Sequence, residues 1–137
     1  MGQRFAVLVG CIAAVLVSAL PAAANNEPTT GTRIGLYQPP ATFAANSPFY
    51  IEHGFACGLG DSSCIAQQIS ANATFDLYLD GALQPSTVDV DRFGGGLEKQ
   101  HLTNYASGLP AGTHTFVGVW TQNGTVVLIK TATITFA

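Results

Sequence analysis

The chain has 137 residues, 47% of them hydrophobic and only 9% charged, with 5 Lys and Arg against 8 Asp and Glu. A typical soluble domain is about 25% charged, so the composition excludes a charge-rich disordered tail, and the length bounds the chain to one small domain. A formal net charge of -3 repels a phosphate backbone, which argues against a nucleic-acid partner.

Residues 1–24 read as an address. Arg4 is the only charge ahead of an apolar run over residues 5–17, which continues through Leu20 to Pro21 and then Ala22-Ala23-Ala24. A positive start, a helix-forming apolar middle and small residues at the minus three and minus one positions are the layout of a secretory signal peptide, with cleavage expected after Ala24. A permanent anchor needs about 20 apolar residues and usually a charged flank; here Pro21 and the neutral Asn25-Asn26 follow. Leu8-Val9-Gly10-Cys11 has the letters of a bacterial lipobox. Cutting before Cys11 would leave an apolar segment shorter than the roughly 7–15 residues such leaders use, so Cys11 reads as an ordinary leader residue. The expected location is therefore secreted, either extracellular or in a bacterial envelope or periplasm, with membrane contact only through the leader during export.

Past the leader, 113 residues (137 less 24) carry Arg33, Arg92, Lys99 and Lys130 against the eight acids, and two cysteines, Cys57 and Cys64. An even number of cysteines in an oxidising compartment predicts a disulfide. It closes a short loop, contributing about 2 kcal/mol by loop entropy. A zinc site would need four ligands, and the only nearby imidazole is His53.

Along the chain the alternation has period two, the signature of strands. Residues 25–31 are polar and read as a flexible segment. A first strand is expected over 32–37, broken by Gln38-Pro39-Pro40 because neither proline donates to a ladder. A second covers 48–55, with Phe49, Ile51 and His53 opposite Tyr50 and Glu52. Ile65 and Ile69, four apart, mark residues 65–71 as the one place for a helical turn. Strands follow over 74–79, ended by the turn dipeptide Asp80-Gly81, over 86–93, ended by Gly94-Gly95-Gly96, and over 99–105. A corner at 107–112 leads to the two longest, 113–121 and 125–136, joined by Asn123-Gly124, whose residues tolerate positive φ. About seven short strands bounded by turn signals specify an all-β sandwich or barrel over residues 32–137.

The stretch Leu109-Pro110-Ala111-Gly112-Thr113-His114-Thr115-Phe116-Val117-Gly118-Val119-Trp120 resembles bacterial secreted immunoglobulin-like domains. In these a Leu-x-x-Gly-x-Tyr loop enters the sixth strand and the tyrosine makes a corner hydrogen bond to upstream backbone. Here His114 stands in the tyrosine's place and has ring nitrogens able to make that bond. Residues 130–136 look like the closing strand of the same fold. The resemblance implies a single antiparallel immunoglobulin-like sandwich; the fold carries adhesion, glycan-binding, spacer and subunit roles alike, so it does not choose among functions.

The residues give little support to catalysis. A hydrolase triad needs a nucleophile, base and orienting acid to converge, whereas the histidines are isolated and no Gly-x-Ser-x-Gly elbow occurs; Gly94-Gly95-Gly96 lacks the Lys and Ser or Thr of a phosphate loop. No enzyme activity, resident metal or cofactor is expected. Asp89 and Asp91 are two apart on a strand, about 7 Å by strand rise, and with Asp80 they form a weak candidate calcium set, against the plainer reading of a solvated polar face. His53 and His101 read as satisfied core or rim residues, and Trp120, in step with His114, Phe116 and Gly118, as a core residue. Asn72-Ala73-Thr74 and Asn123-Gly124-Thr125 match the glycosylation sequon; the second is explained as a turn.

The opposite face of the last hairpin is apolar as well. A strand in a one-sided sheet shows polar residues outward, yet Val117, Val119, Val127 and Ile129 form a second apolar set. The expected cover is either residues 65–71 or a partner. Two functions follow as expectations: a non-catalytic secreted module that binds a protein, a glycan or itself, and a structural envelope or matrix subunit that assembles through this hairpin face.

Overall fold

The computed structural model describes residue 28 and residues 30–69, 73–93 and 95–137. The expected leader, most of the segment 25–31 and Asn72 of the first sequon lie outside these residues. Two dipeptides organise the later strands. Asp80 and Gly81 have φ of 49° and 85°, and Asn123 and Gly124 have 49° and 77°, the double positive φ of a tight hairpin turn whose twist matches its strands. They join β4 (Ala73–Leu79) to β5 (Ala82–Gln84), and β8 (Gly112–Gln122) to β9 (Thr125–Phe136).

The remaining elements are β1 (Thr32–Gly35), β2 (Thr42–Phe43), β3 (Phe49–Cys57), α1 (Ser62–Ile69), β6 (Thr87–Phe93) and β7 (Gly96–Tyr105). They build two sheets, ordered β1-β3-β7-β6 and β2-β9-β8-β4-β5, so the fold is all-β, with one short helix among the described residues. Between them lies the core. Phe49 and Ile51 of β3 and Ile34 and Leu36 at β1 meet Phe75 and Leu77 of β4, Phe116 of β8 and Ile134 and Phe136 of β9. Phe49 bridges the sheets, its ring centroid 5.3 Å from Phe136 and 6.3 Å from Phe116. Burying each such side chain contributes about 1.5–3 kcal/mol.

The pairing is not wholly antiparallel, which corrects one expectation. β1 runs parallel to β3, with Thr32 opposite Phe49 and Gly35 opposite Glu52, and β2 runs parallel to β9. Parallel neighbours need a connection of about a dozen residues, and residues 36–48 supply it by leaving one sheet, adding β2 to the other and returning. Pro39-Pro40, without amide donors, sits where the chain has left the sheet. The first strand ends at Gly35 instead of residue 37, because Leu36 turns into the core and the Gln38 amide closes a turn onto the Gly35 carbonyl.

The Cys57–Cys64 disulfide forms, with the α-carbons 5.7 Å apart. The helix starts earlier than residue 65 because Asp61 caps it: its carboxylate accepts from the Cys64 amide at 2.9 Å and its carbonyl from the Ile65 amide at 3.0 Å. The disulfide thus fastens the end of β3 to the first turn of α1.

Candidate functional site

At the corner before β8, Gly112 releases the chain and His114 lands between two acceptors. Its Nε2 lies 3.2 Å from the Pro110 carbonyl and its Nδ1 2.7 Å from Oδ2 of Asp80. A carbonyl and a carboxylate only accept, so holding both requires a proton on each nitrogen. The hydrogen bond to Asp80, first, and that to Pro110 raise the His114 pKa, while burial opposes. Asp80 also accepts from the Thr115 amide at 2.8 Å; this bond and the one from His114 hold its carboxyl below the usual range. His114 thus makes the upstream backbone bond expected of the corner residue.

Asp80 is committed to that corner in the β4–β8 sheet, whereas Asp89 is buried on β6 of the other sheet and Asp91 follows on the same strand. The structure therefore does not bring Asp80 to the other two acids, and among the described residues no three His, Cys, Asp or Glu side chains converge as metal ligands.

At the opposite end of the interior, His53 and His101 face each other across the β3–β7 pair, ring centroids 5.7 Å apart, with Phe75 4.5 Å from His53. His53 is 1% exposed, and among the described residues neither ring nitrogen has a hydrogen-bond partner. It is a core residue but an unsatisfied one. Burial and then the neighbouring His101 push its pKa down to about 3, and burial with the Lys99 charge pushes His101 down to about 4. Both rings are neutral at neutral pH. Trp120 is partly buried against the core and stacks at 6.3 Å on Phe75, the side that the alternation places it on.

Among the described residues the apolar hairpin face is open. Helix α1 lies beside β7 in the other sheet; residues 70 and 71 of the expected cover lie outside the described residues. Val119 sits between Asp76 of β4 and Ile129 of β9, and Val117 between Tyr78 and Thr131. These two valines are half-buried, while Ile129 is 60%, Val126 52% and Val127 50% exposed. A register shift alters the expected set: Leu128 pairs with Trp120 and Val126 with Thr121, leaving Val127 as the extra residue of a bulge. Alternation then puts Val126, beside Thr121, on the face of Val119 and Ile129. The chain matches no family model, and no curated protein or solved structure matches it. What the molecule can bind is therefore to be read from its own surfaces.

Two features distinguish β9. Among the described residues its only neighbour over residues 125–134 is β8, because β2 reaches only Thr135 and Phe136. The free edge thus coincides with the exposed run Val126-Val127-Leu128-Ile129.

A second surface lies on the outer face of the β1-β3-β7 sheet. Arg33 and Gly35 of β1, Glu52, Gly54 and Ala56 of β3, and Glu98 and Gln100 of β7 line an open cleft of about 290 Å³, with Tyr37 and Gln38 at its rim. Alternation places them together, since Ile34, Ile51 and Leu97 point the other way and are buried. The Arg33 guanidinium pairs with the buried Glu52 carboxylate, and the Gln100 amide donates to Glu98. Sequence reasoning missed this cleft because its residues come from three strands; the one signal is the small, polar outward set Glu52, Gly54, Ala56 on β3. Among the described residues no helix is long and apolar enough to cross a membrane.

Proposed function

We propose that the chain is a non-catalytic, immunoglobulin-like interaction module that is exported and works by adding a partner's strand to β9. The observation that carries this reading is the coincidence of a strand edge unpaired among the described residues with four consecutive exposed apolar residues, 126–129. An edge strand is a template for another chain, and proteins ordinarily blunt it with charge, proline, bulges or cover; here the bulge is confined to Val127. β9 has Lys130 as its only charge. Assignment to the immunoglobulin class is supported by the order β3-β7-β6 and β9-β8-β4-β5, which runs B-E-D against G-F-C-C′; β1, parallel to β3, and β2, parallel to β9, are added at the edges. The His114 corner supports it too. Export is supported by the leader-like residues 1–24 and by the disulfide.

The partner strand is supplied by a second copy. Antiparallel pairing of two β9 strands about Leu128 sets Leu128 against Leu128, Val127 against Ile129 and Val126 against Lys130, so the centre is apolar and no like charges oppose. Light scattering across a concentration series tests this. The protein is expected to dimerise and Ile129→Lys to remain a folded monomer; a wild-type monomer at every concentration would overturn self-pairing. Assembly that continues past the dimer would favour the structural-subunit reading, because a twofold pairing closes and a head-to-tail one does not.

A further inference from the structure

We infer that the cleft on the outer face of the β1-β3-β7 sheet is a binding site for a neutral saccharide. Three observations carry the inference. The first is the chemistry of the lining. Arg33 is neutralised by Glu52 and Glu98 is held by Gln100. The two carboxylates outnumber the guanidinium, so an anion is repelled. What remains is a mixture of planar donors and acceptors, two carboxylates, a guanidinium and the amides of Gln38 and Gln100, converging as in small-molecule sites. Such groups suit a ligand rich in hydroxyls, each of which both donates and accepts.

The second observation is the Tyr37 side chain, 42% exposed at the rim although aromatic. A partly exposed aromatic ring offers an apolar face suited to stacking on the C–H face of a sugar. The third is Gly35. It is the last residue of β1, where the Gln38 amide closes a turn onto its carbonyl, and it lines the cleft. At Gly54 the fold itself supplies the reason for a glycine, because a β-carbon there would strike the Lys99 carbonyl and lie 2.7 Å from the Gln100 α-carbon. At Gly35 it does not: a β-carbon would meet nothing within 4 Å, and no positive φ calls for glycine. The absent side chain leaves the cleft open, and its volume of about 290 Å³ is near the lower end of the range for small-ligand sites, about 300 Å³ upward.

The cleft and the β9 edge lie on different sheets, so either reading survives the loss of the other. The test is an amide NMR titration of the full chain, purified after export, with chitotriose, cellotriose, maltotriose and mannotriose as probes. At least one is expected to give saturable shifts at residues 33–37, 52–56 and 98–100. Gly35→Val, which fits a strand and meets no neighbour, is expected to keep the thermal midpoint and lose at least about tenfold in affinity. Glu98→Ala serves as a second cleft variant should Gly35→Val fold poorly, and Ile129→Lys should bind as wild type. Absence of saturable shifts with all four probes, shifts confined to other surfaces, or undiminished binding by a folded cleft variant would each overturn the inference.

Discussion

Gly118 shows how tightly single residues are held. It lies on the core face of β8, where a β-carbon would come within 2.5 Å of Leu36 Cδ2 and 2.7 Å of Phe75 Cε1. Gly118→Ala is expected to lose about 1–3 kcal/mol through overpacking, read as a lower urea midpoint at constant slope; an unchanged midpoint would show that the two side chains yield freely. His53 is the opposite case, a residue the core would hold more firmly if it were apolar. Its two unpartnered nitrogens carry a desolvation cost of about 1–3 kcal/mol, so His53→Leu should raise the midpoint by that order. The alternation of β3 made its burial legible in the sequence. Its lack of partners was not, because that depends on Phe75 and His101 arriving from two other strands.

Among the elements, those with their own punctuation were readable. Asn123-Gly124 marked the β8–β9 hairpin and Asp80-Gly81 a tight turn, though not the short strand after it, and the period-two runs gave β3, β4, β8 and β9 to within a residue or two. β2 and β5, two and three residues long, are too short to show a period; they exist because β9 and β4 offer edges to pair with. The bulge at Val127 was equally hidden, since it belongs to the register between two strands. Within the Cys57–Cys64 loop the helix cap and the disulfide reinforce one another. Replacing both cysteines by serine should cost about 2 kcal/mol of global stability by loop entropy. Hydrogen exchange should speed up in α1 and the end of β3 while β8 stays protected; equal loss everywhere would mean the loop is integral to the sandwich.

For the whole molecule, the two kinds of histidine set a pH profile. The folded pKa values of His53 and His101, about 3 and about 4, lie below the ordinary 6.5. The unfolded chain therefore binds more protons below pH 6.5, and stability present above that value is lost as pH falls toward 4. For His53 the loss between pH 7 and 4.5 is about 2–3 kcal/mol at 1.36 kcal/mol per unit. His114 acts with the other sign: its folded pKa is raised, so its contribution is complete below 6.5 and fades as pH rises through the folded value. Asp80, held low, adds stability above the ordinary carboxylate range that is lost in acid. Urea unfolding from pH 4.5 to 8 should accordingly peak near neutrality, and His53→Leu should flatten the acid side. A steep acid limb retained in that variant would assign the loss to other groups.

The sandwich also has a polarity that bears on how it is displayed. Thr32 pairs with Phe49, Phe43 pairs with Phe136, and Phe49 and Phe136 touch, so the chain enters β1 and leaves β9 at the same pole. The Asn123-Gly124 tip and the disulfide loop lie at the other. A tether attached ahead of β1 or after Ala137 would hold the molecule by one end like a stalk and point the tip of the β8–β9 hairpin, with the exposed run beside it, away from the surface to which it is fixed.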